Sequence, residues 1–456
     1  MALRRATSGT AKTLVGRAAR GVATSWVGER LGLDWLVKQI GPDETTDRIE
    51  AAEYAIRDPV VLKIVETLRA EGHNIIALNI GDPGANQGAY GLLPPKRVTD
   101  AAAEVVRGGK ATGYADSPGV TAARQAIAEY SRRSGILDSR EDNVFVGQGV
   151  SEIMDFYCKV RLQRGRNLVV PRPYYPLYGA LVNLYSGRIR YYDVDPKTGA
   201  PNIEQLKRQI NKNTVGVVVI NPNNPLGTVL NRTQLEQIVD VVGKKGGNKV
   251  PILADEIYEG TGYDPHIPIA SLTDKVPVHT FSGLSKKYGY PGARVAWMLT
   301  SNVESDNLHN GILKLSGMRL SANPIQHAIP AALLEDGGRP NGTYIRKLDE
   351  RRLYAHRRLR EMPGVEIGSE PKAAFYLFPR ITGAGKKPLP WKTDKEFQLD
   401  LLKTTGVLIV PGSGFGMKPE DMHFRVVTLP DVKTQKEAYD RIETFVKQRL
   451  GIQKSA

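Results

Sequence analysis

Short apolar runs rich in β-branched residues recur along the chain at Asn167–Val170, Val215–Ile220, Val250–Ala254 and Val278–Phe281, each bounded by Gly, Pro or Asn. They lack the polar alternation of a strand with one wet face, so they predict strands buried on both sides. Helical periods lie between them, as at Thr233–Lys244. Ahead of them the pattern predicts a helix at Pro59–Arg69, a strand at Asn74–Leu78, a helix at Val120–Ser131 and a strand at Asn143–Val146. This alternation predicts an α/β fold on a mostly parallel sheet with helices on both faces, in which ligands sit beyond the carboxyl ends of the strands. After Pro330 come a charged helical stretch (Arg346–Glu361), shorter strands around Ala373–Pro379 and Val407–Val410, and an amphipathic helix ending near Leu450. These predict a second, smaller α+β domain. No long linker separates the two, which places the site between them.

The start of the chain reads differently. Arg4, Arg5, Lys12, Arg17 and Arg20 are interleaved with small residues, and no acid appears before Glu29. That composition resembles an organelle transit peptide, and a mis-called start codon or a basic arm accounts for it equally well. Leu33, Leu36, Val37 and Ile40 then recur at helical spacing until Gly41-Pro42 stops them, which predicts a short amphipathic helix needing a surface to cover.

Composition narrows the function classes without choosing one. With 456 residues, 41 % hydrophobic and 24 % charged, the chain is globular, neither fibrous nor disordered. An excess of 63 basic over 48 acidic residues, a net +15, suits anionic partners. The single cysteine, Cys158, cannot form an intrachain disulfide, so stability rests on packing and a reducing compartment is expected. No apolar run approaches the roughly 18 to 20 residues of a membrane-spanning helix. The expected location is the cytoplasm, or an organelle such as the mitochondrion if residues 1–28 are a transit peptide.

The segment richest in chemistry is F-S-G-L-S-K-K-Y-G-Y-P-G-A-R, residues 281–294, directly after a predicted strand. A lysine in a tight turn at a strand end can present its amine to a bound carbonyl, and nearby cations keep part of it unprotonated. Lys286 is therefore a candidate imine former, although a solvated Lys-Lys pair is the commoner fate of such residues. Three further segments change that weighting. N-P-N-N-P-L-G (221–227) and A-D-E-I-Y (254–258) each follow a predicted strand, and H-F-R-V-V-T-L-P (423–430) lies near the C-terminus.

Together the four segments resemble the class I/II aminotransferases, pyridoxal-phosphate enzymes of fold type I, from about Glu53 to Leu450. The resemblance implies a large cofactor domain over 91–329 with a seven-stranded sheet and a small domain over 330–456. Residues 46–90 become an N-terminal arm and part of the small domain, and 1–45 an extension. It also implies pyridoxal 5′-phosphate as cofactor and no metal, with Lys286 as Schiff-base lysine and general base. Asp255 becomes the carboxylate that keeps the ring nitrogen protonated, a role that competes with plain helix capping. Asn224 and Tyr258 match the donors to the ring's phenolic oxygen, and Asn224 also reaches substrate. Tyr175 matches the aromatic on the ring face, with Tyr174 and Tyr178 as rivals. Val150, Ser151, Ser285 and Arg294 match the phosphate cradle, in which V-G-Q-G-V-S-E opens a helix. Tyr114 matches a tyrosine that reaches the neighbouring subunit's phosphate, which implies a homodimer. Arg425 and Gly81 match the substrate-carboxylate site.

Two departures stand out. Leu226 replaces the usual threonine of N-P-T-G, and Gly289, Pro291 and Gly292 alter the loop before Arg294 while keeping its spacing from Lys286.

The implied reaction is ping-pong transamination between an amino acid and an oxo acid. The strings E-Y-A-I-R-D (53–58), L-N-I-G-D-P and P-G-S-G-F-G (411–416) look most like alanine aminotransferases of prokaryotic type, with 2-oxoglutarate as acceptor. Aspartate or aromatic aminotransferases and a C–S lyase on the same fold are the alternatives. A DNA-binding regulator with an aminotransferase-like domain needs a longer lead domain than this chain has, so neither nucleic acid nor membrane is an expected partner.

Overall fold

The computed structural model describes residues 54–85, 88–303, 307–383 and 388–452, with Ile49 and Ala52. The basic segment 1–28 and the helix expected around Leu33–Ile40 lie outside the described residues.

The sheet contains β1 (Val144–Gly147), β2 (Asn167–Arg172), β3 (Arg188–Asp193), β4 (Thr214–Ile220), β5 (Ile252–Asp255), β6 (Val278–Gly283) and β7 (Ala296–Ser301). Its seven strands run in the order β1-β7-β6-β5-β4-β2-β3, and β7 alone is antiparallel to its neighbours. The apolar runs become these strands for the expected reason: alternate residues of one strand enter opposite cores. Val217 and Val219 pack in one apolar layer with Leu235 and Ile238 of the helix Arg232–Gly246, while Val218 and Ile220 pack in the other with Met154 of the helix Val150–Arg161. A large aliphatic side chain buried in this way contributes about 1.5–3 kcal/mol, which is why a strand with no polar face is stable only here.

Two strands escaped the apolar-run pattern. β3 reads R-I-R-Y-Y-D and lies at the sheet edge, so most of its side chains are only half buried. β7 follows the lysine loop with only a single 3-10 turn, Pro291–Ala293, between them and no crossover α-helix, so it returns antiparallel to β6.

Beyond residue 330, a helix at Gly342–Glu361 and one at Val432–Leu450 cover three small sheets. The expected strand Val407–Val410 is split. Val407–Leu408 pairs in parallel with Ile76–Ala77, whereas Val410–Pro411 pairs with the strand Phe424–Val427. Val407 packs in a core with Leu377, Phe397, Phe424 and Phe445, whereas Val410 packs in the core that also holds Val217 and Val219. Arg425 is thereby held on the central strand of three, opposite Val410 on one side and with the strand Tyr376–Leu377 on the other.

Candidate active site

The carboxyl ends of the parallel strands deliver most of the site. Ile220, Asp255 and Phe281 are paired across β4, β5 and β6, so the turns that follow start level with one another. They open on a cavity of about 480 Å³. Gly81, Val150, Ser151, Tyr175, Asn224, Asp255, Tyr258, Ser285, Lys286, Arg294 and Arg425 all line it. Of the residues matched to the family's site, Tyr114 alone does not; it is 82 % exposed.

Lys286 reaches into the cavity and donates from Nζ to the Gly81 carbonyl at 2.6 Å. Burial lowers its pKa to about 8; Asp82 opposes that shift, and Arg425 and Arg294 reinforce it. The loop is fixed from behind by Tyr344, whose hydroxyl donates to the Lys286 carbonyl at 2.6 Å.

Asp255 ends β5 and is followed by a turn, so it is not a helix cap. Its Oδ2 accepts from the Tyr178 hydroxyl at 2.5 Å and its Oδ1 from the Ile257 amide at 3.4 Å. Burial raises its pKa to about 6, against the pull of the Tyr178 and Ile257 hydrogen bonds. Among the described residues no cationic side chain forms an ion pair with this buried carboxylate.

Arg425 presents the complementary situation. Only 1 % exposed, its guanidinium lies between the rings of Tyr376 and Phe415, 4.6 and 4.8 Å from their centroids. Nη1 donates to Asn224 Oδ1 at 3.1 Å and Nη2 to the Asn79 carbonyl, while Nε has no partner. No carboxylate among the described residues pairs with it. Asn224 Nδ2 donates to Tyr258 Oη at 3.3 Å, and the hydroxyls of Tyr258 and Tyr376 are 2.8 Å apart. Arg425, Asn224, Tyr258 and Tyr376 thus form a closed ring of contacts on one wall. Gly81 faces that wall, since a Cβ there would lie 1.9 Å from Tyr376 Oη.

The third feature is the start of the helix Val150–Arg161, which no side chain caps. Its first-turn amides at Val150 and Ser151 border the cavity beside Ser285 and Arg294. Arg294 Nη2 donates to the Gln148 carbonyl at 3.0 Å, across Gly149 at φ 90°. A Cβ at Gly149 would stand 2.3 Å from that nitrogen. Such a backbone-and-guanidinium end suits an anion.

Several contributors were not singled out from sequence. Tyr178 had appeared only as a rival to Tyr175; both line the cavity, whereas Tyr174 stacks on Tyr191 at 5.8 Å. The period of the helix Pro176–Leu184 could have signalled this, because Tyr178 lies three residues after Tyr175. Tyr54, Tyr376 and Asn79 carried no local signal beyond their segments. Tyr54 hydrogen-bonds Tyr175, hydroxyl to hydroxyl, at 2.6 Å. Leu226 is buried in the core beneath Asn224, so the apolar replacement of threonine is accommodated there.

These residues fit pyridoxal phosphate. The buried carboxylate lacking a cation matches a ring N–H, the uncapped helix end matches a phosphate, and the amine whose pKa is depressed matches an aldehyde. The family model "Aminotransferase class I and II" matches residues 73–442. The chain belongs to that family: it is a pyridoxal-phosphate-dependent aminotransferase. Among curated proteins it is similar to a glutamate-pyruvate aminotransferase from Haemophilus influenzae, 35 % identical over 88 % of this chain and 97 % of that one. An alanine aminotransferase from Mycobacterium bovis is also 35 % identical, over 88 % of this chain and 91 % of its own length. Among solved structures, an alanine aminotransferase from Pyrococcus furiosus matches with a TM-score of 0.81 at 35 % identity, covering 89 % of this chain and all of that one. Among the described residues no helix is long and apolar enough to cross a membrane.

Proposed function

We propose that this aminotransferase exchanges the amino group between alanine and 2-oxoglutarate in a ping-pong cycle, with the cavity beside Lys286 as its active site. The observation that supports the amino-acid site is the buried Arg425 with no carboxylate partner: desolvating a guanidinium is costly unless an anion completes the site, and a substrate carboxylate is that anion. The choice of alanine rests on the names borne by the 35 %-identical relatives.

When bound, pyridoxal phosphate supplies an aldehyde to carry the amino group and a ring to accept the electron pair released at Cα. The chain's residues do the remainder. Arg425 grips the α-carboxylate, with Asn224 and the Gly81 backbone beside it, and so fixes which Cα bond faces Lys286. The Lys286 amine, partly neutral at physiological pH, would take the proton from the substrate Cα onto Nζ and hold it there for return. Asp255, braced by Tyr178, holds a proton on the ring nitrogen. Asn224 and Tyr258 would donate to the cofactor's phenolic oxygen, and Tyr175 would hold its ring. Val150, Ser151, Ser285 and Arg294 hold the phosphate.

In the same reading the chain works as a homodimer in the cytoplasm. Its exposed Tyr114 extends to the neighbouring subunit's cofactor, and the segment after residue 330 acts as the small domain that carries Arg425.

The decisive assay supplies alanine and 2-oxoglutarate to the purified holoenzyme and follows pyruvate and glutamate. Both products at equal rates are expected. The reading is wrong if aspartate replaces alanine as the efficient donor, an outcome given weight by a 30 %-identical aspartate aminotransferase from Bacillus. It is equally wrong if ammonia is released without any acceptor, the mark of an eliminating lyase.

A further inference from the structure

Glu152 occupies a place where a carboxylate should hinder. It lies in the first turn of the helix Val150–Arg161, whose amides border the cavity, and a negative side chain there competes with a bound phosphate for the same positive end. Yet its geometry is built. Glu152 Oε2 accepts from the Gln148 amide at 2.7 Å and from Arg319 Nη1 at 2.6 Å. Gly147 leaves the room, since a Cβ there would stand 2.9 Å from that same oxygen.

The Gln148–Gly149 turn is therefore held from two sides. Glu152 takes its N–H, and Arg294 takes its carbonyl at 3.0 Å. Arg319 comes from the far end of the helix Asn307–Arg319 and is itself held firmly. Its side chain is 10 % exposed, Nη2 donates to the Ser117 carbonyl at 2.7 Å and to that of Val146 at 3.2 Å, and the guanidinium lies 5.7 Å from the Phe156 ring centroid.

We propose that Arg319 is a positioning residue for the cofactor phosphate: it neutralises Glu152, so that Glu152 can orient the Gln148–Gly149 turn without repelling the anion beside it. Neither Arg319 nor Glu152 lines the cavity, whereas Gly149 does, so the pair acts through the turn that Glu152 holds and through the charge it sets behind the helix end. This rests on the reading of that helix end as the phosphate cradle. Glu152 without Arg319 leaves an uncompensated negative charge at the anion site; Glu152 replaced by glutamine keeps the hydrogen bond to the Gln148 amide and removes the charge.

The test compares pyridoxal phosphate with pyridoxal, which lacks the phosphate, as ligands titrated into the full-length chain stripped of cofactor. Arg319→Met should weaken pyridoxal phosphate by roughly ten- to a hundredfold, the range for losing a hydrogen bond to a charged group. Pyridoxal affinity should stay within about twofold, since its binding has no phosphate to be repelled. Adding Glu152→Gln to Arg319→Met should restore most of the lost affinity. Glu152→Gln alone should bind inorganic phosphate at least as well as the unaltered chain, which keeps the idea testable if Arg319→Met does not fold. Equal weakening of both ligands, or no rescue by Glu152→Gln, overturns the proposal and leaves Arg319 a packing residue. If the unaltered chain itself shows no preference for pyridoxal phosphate over pyridoxal, the cradle reading fails instead.

Discussion

Tyr178 donates a 2.5 Å hydrogen bond to the carboxylate of Asp255, and both side chains are buried at the foot of the cavity. Burial alone pushes the Asp255 carboxyl upward, and this bond is the largest influence holding it down, at about 6. Removing the donor should therefore let it rise further. In the proposed role beside the ring nitrogen Asp255 must be charged, so in Tyr178→Phe the acid-side fall of kcat should move to higher pH. At neutral pH kcat should drop by roughly tenfold, the order expected for one charged hydrogen bond. A pH–rate profile that superimposes on that of the unaltered enzyme would show that Tyr178 only packs.

Lys286→Met should abolish transamination and the yellow absorbance of the holoenzyme. Its effect on stability has a definite sign. In the cofactor-free chain the Lys286 amine titrates at about 8 against an ordinary 10.5, so between those values the unfolded chain binds the extra proton and stability rises with pH. Below about pH 8 the unaltered chain bears the cost of a buried ammonium that the methionine variant lacks. The variant's apo Tm should accordingly exceed or match that of the unaltered chain at pH 7, and the gap should close in the unaltered chain's favour by pH 10. Thermal melts across that window decide it, and a gap that does not change with pH counts against the depressed amine.

Arg425→Ala should raise KM for the amino acid and the oxo acid together by a hundredfold or more, as expected from several kcal/mol of lost charge pairing. Arg425→Lys should recover only part of this, because an ammonium cannot replace a planar fork stacked between Tyr376 and Phe415. Steady-state kinetics with both substrates varied give the answer; an unaltered KM assigns the carboxylate to another residue.

Gly149→Ala should cost more than its size suggests. The residue sits at φ 90°, and the new methyl would stand 2.3 Å from Arg294 Nη2. Cofactor affinity should fall by at least tenfold, with about 1–3 kcal/mol lost from stability through backbone strain. Cofactor retention on dialysis and a melt measure the two effects separately.

A mixed-subunit experiment tests the dimer and the role of Tyr114. Lys286→Ala and Tyr114→Ala chains, mixed and allowed to exchange, form hybrids with one intact site each. Random pairing then restores about a quarter of the sites. No gain over the sum of the parents would remove Tyr114 from the neighbouring site.

Much of this was legible along the chain because the strands are short and wholly buried. Val215–Ile220 read as a buried strand because apolar or small residues run together there, the structure extends it by one residue to Thr214, and the motif holding Asn224 starts at its end. The edge strand Arg188–Asp193 was not legible, since an edge carries polar residues whose meaning depends on which face is wet. Tyr376 and Asn79 were hidden for a related reason. Each touches Arg425 across hundreds of positions or from a segment with no motif of its own, and sequence spacing carries no information about such contacts.

The sequence by itself determined the class of fold and pointed to Lys286, Asp255 and Arg425, because each lies in a local string whose chemistry is constrained by its neighbours along the backbone. The tertiary structure decided which tyrosine serves Asp255, why Gly81 must lack a side chain, and how Glu152 and Arg319 meet at the start of one helix. Those relationships are matters of distance between segments remote in the chain, and only close packing of the completed core fixes such distances.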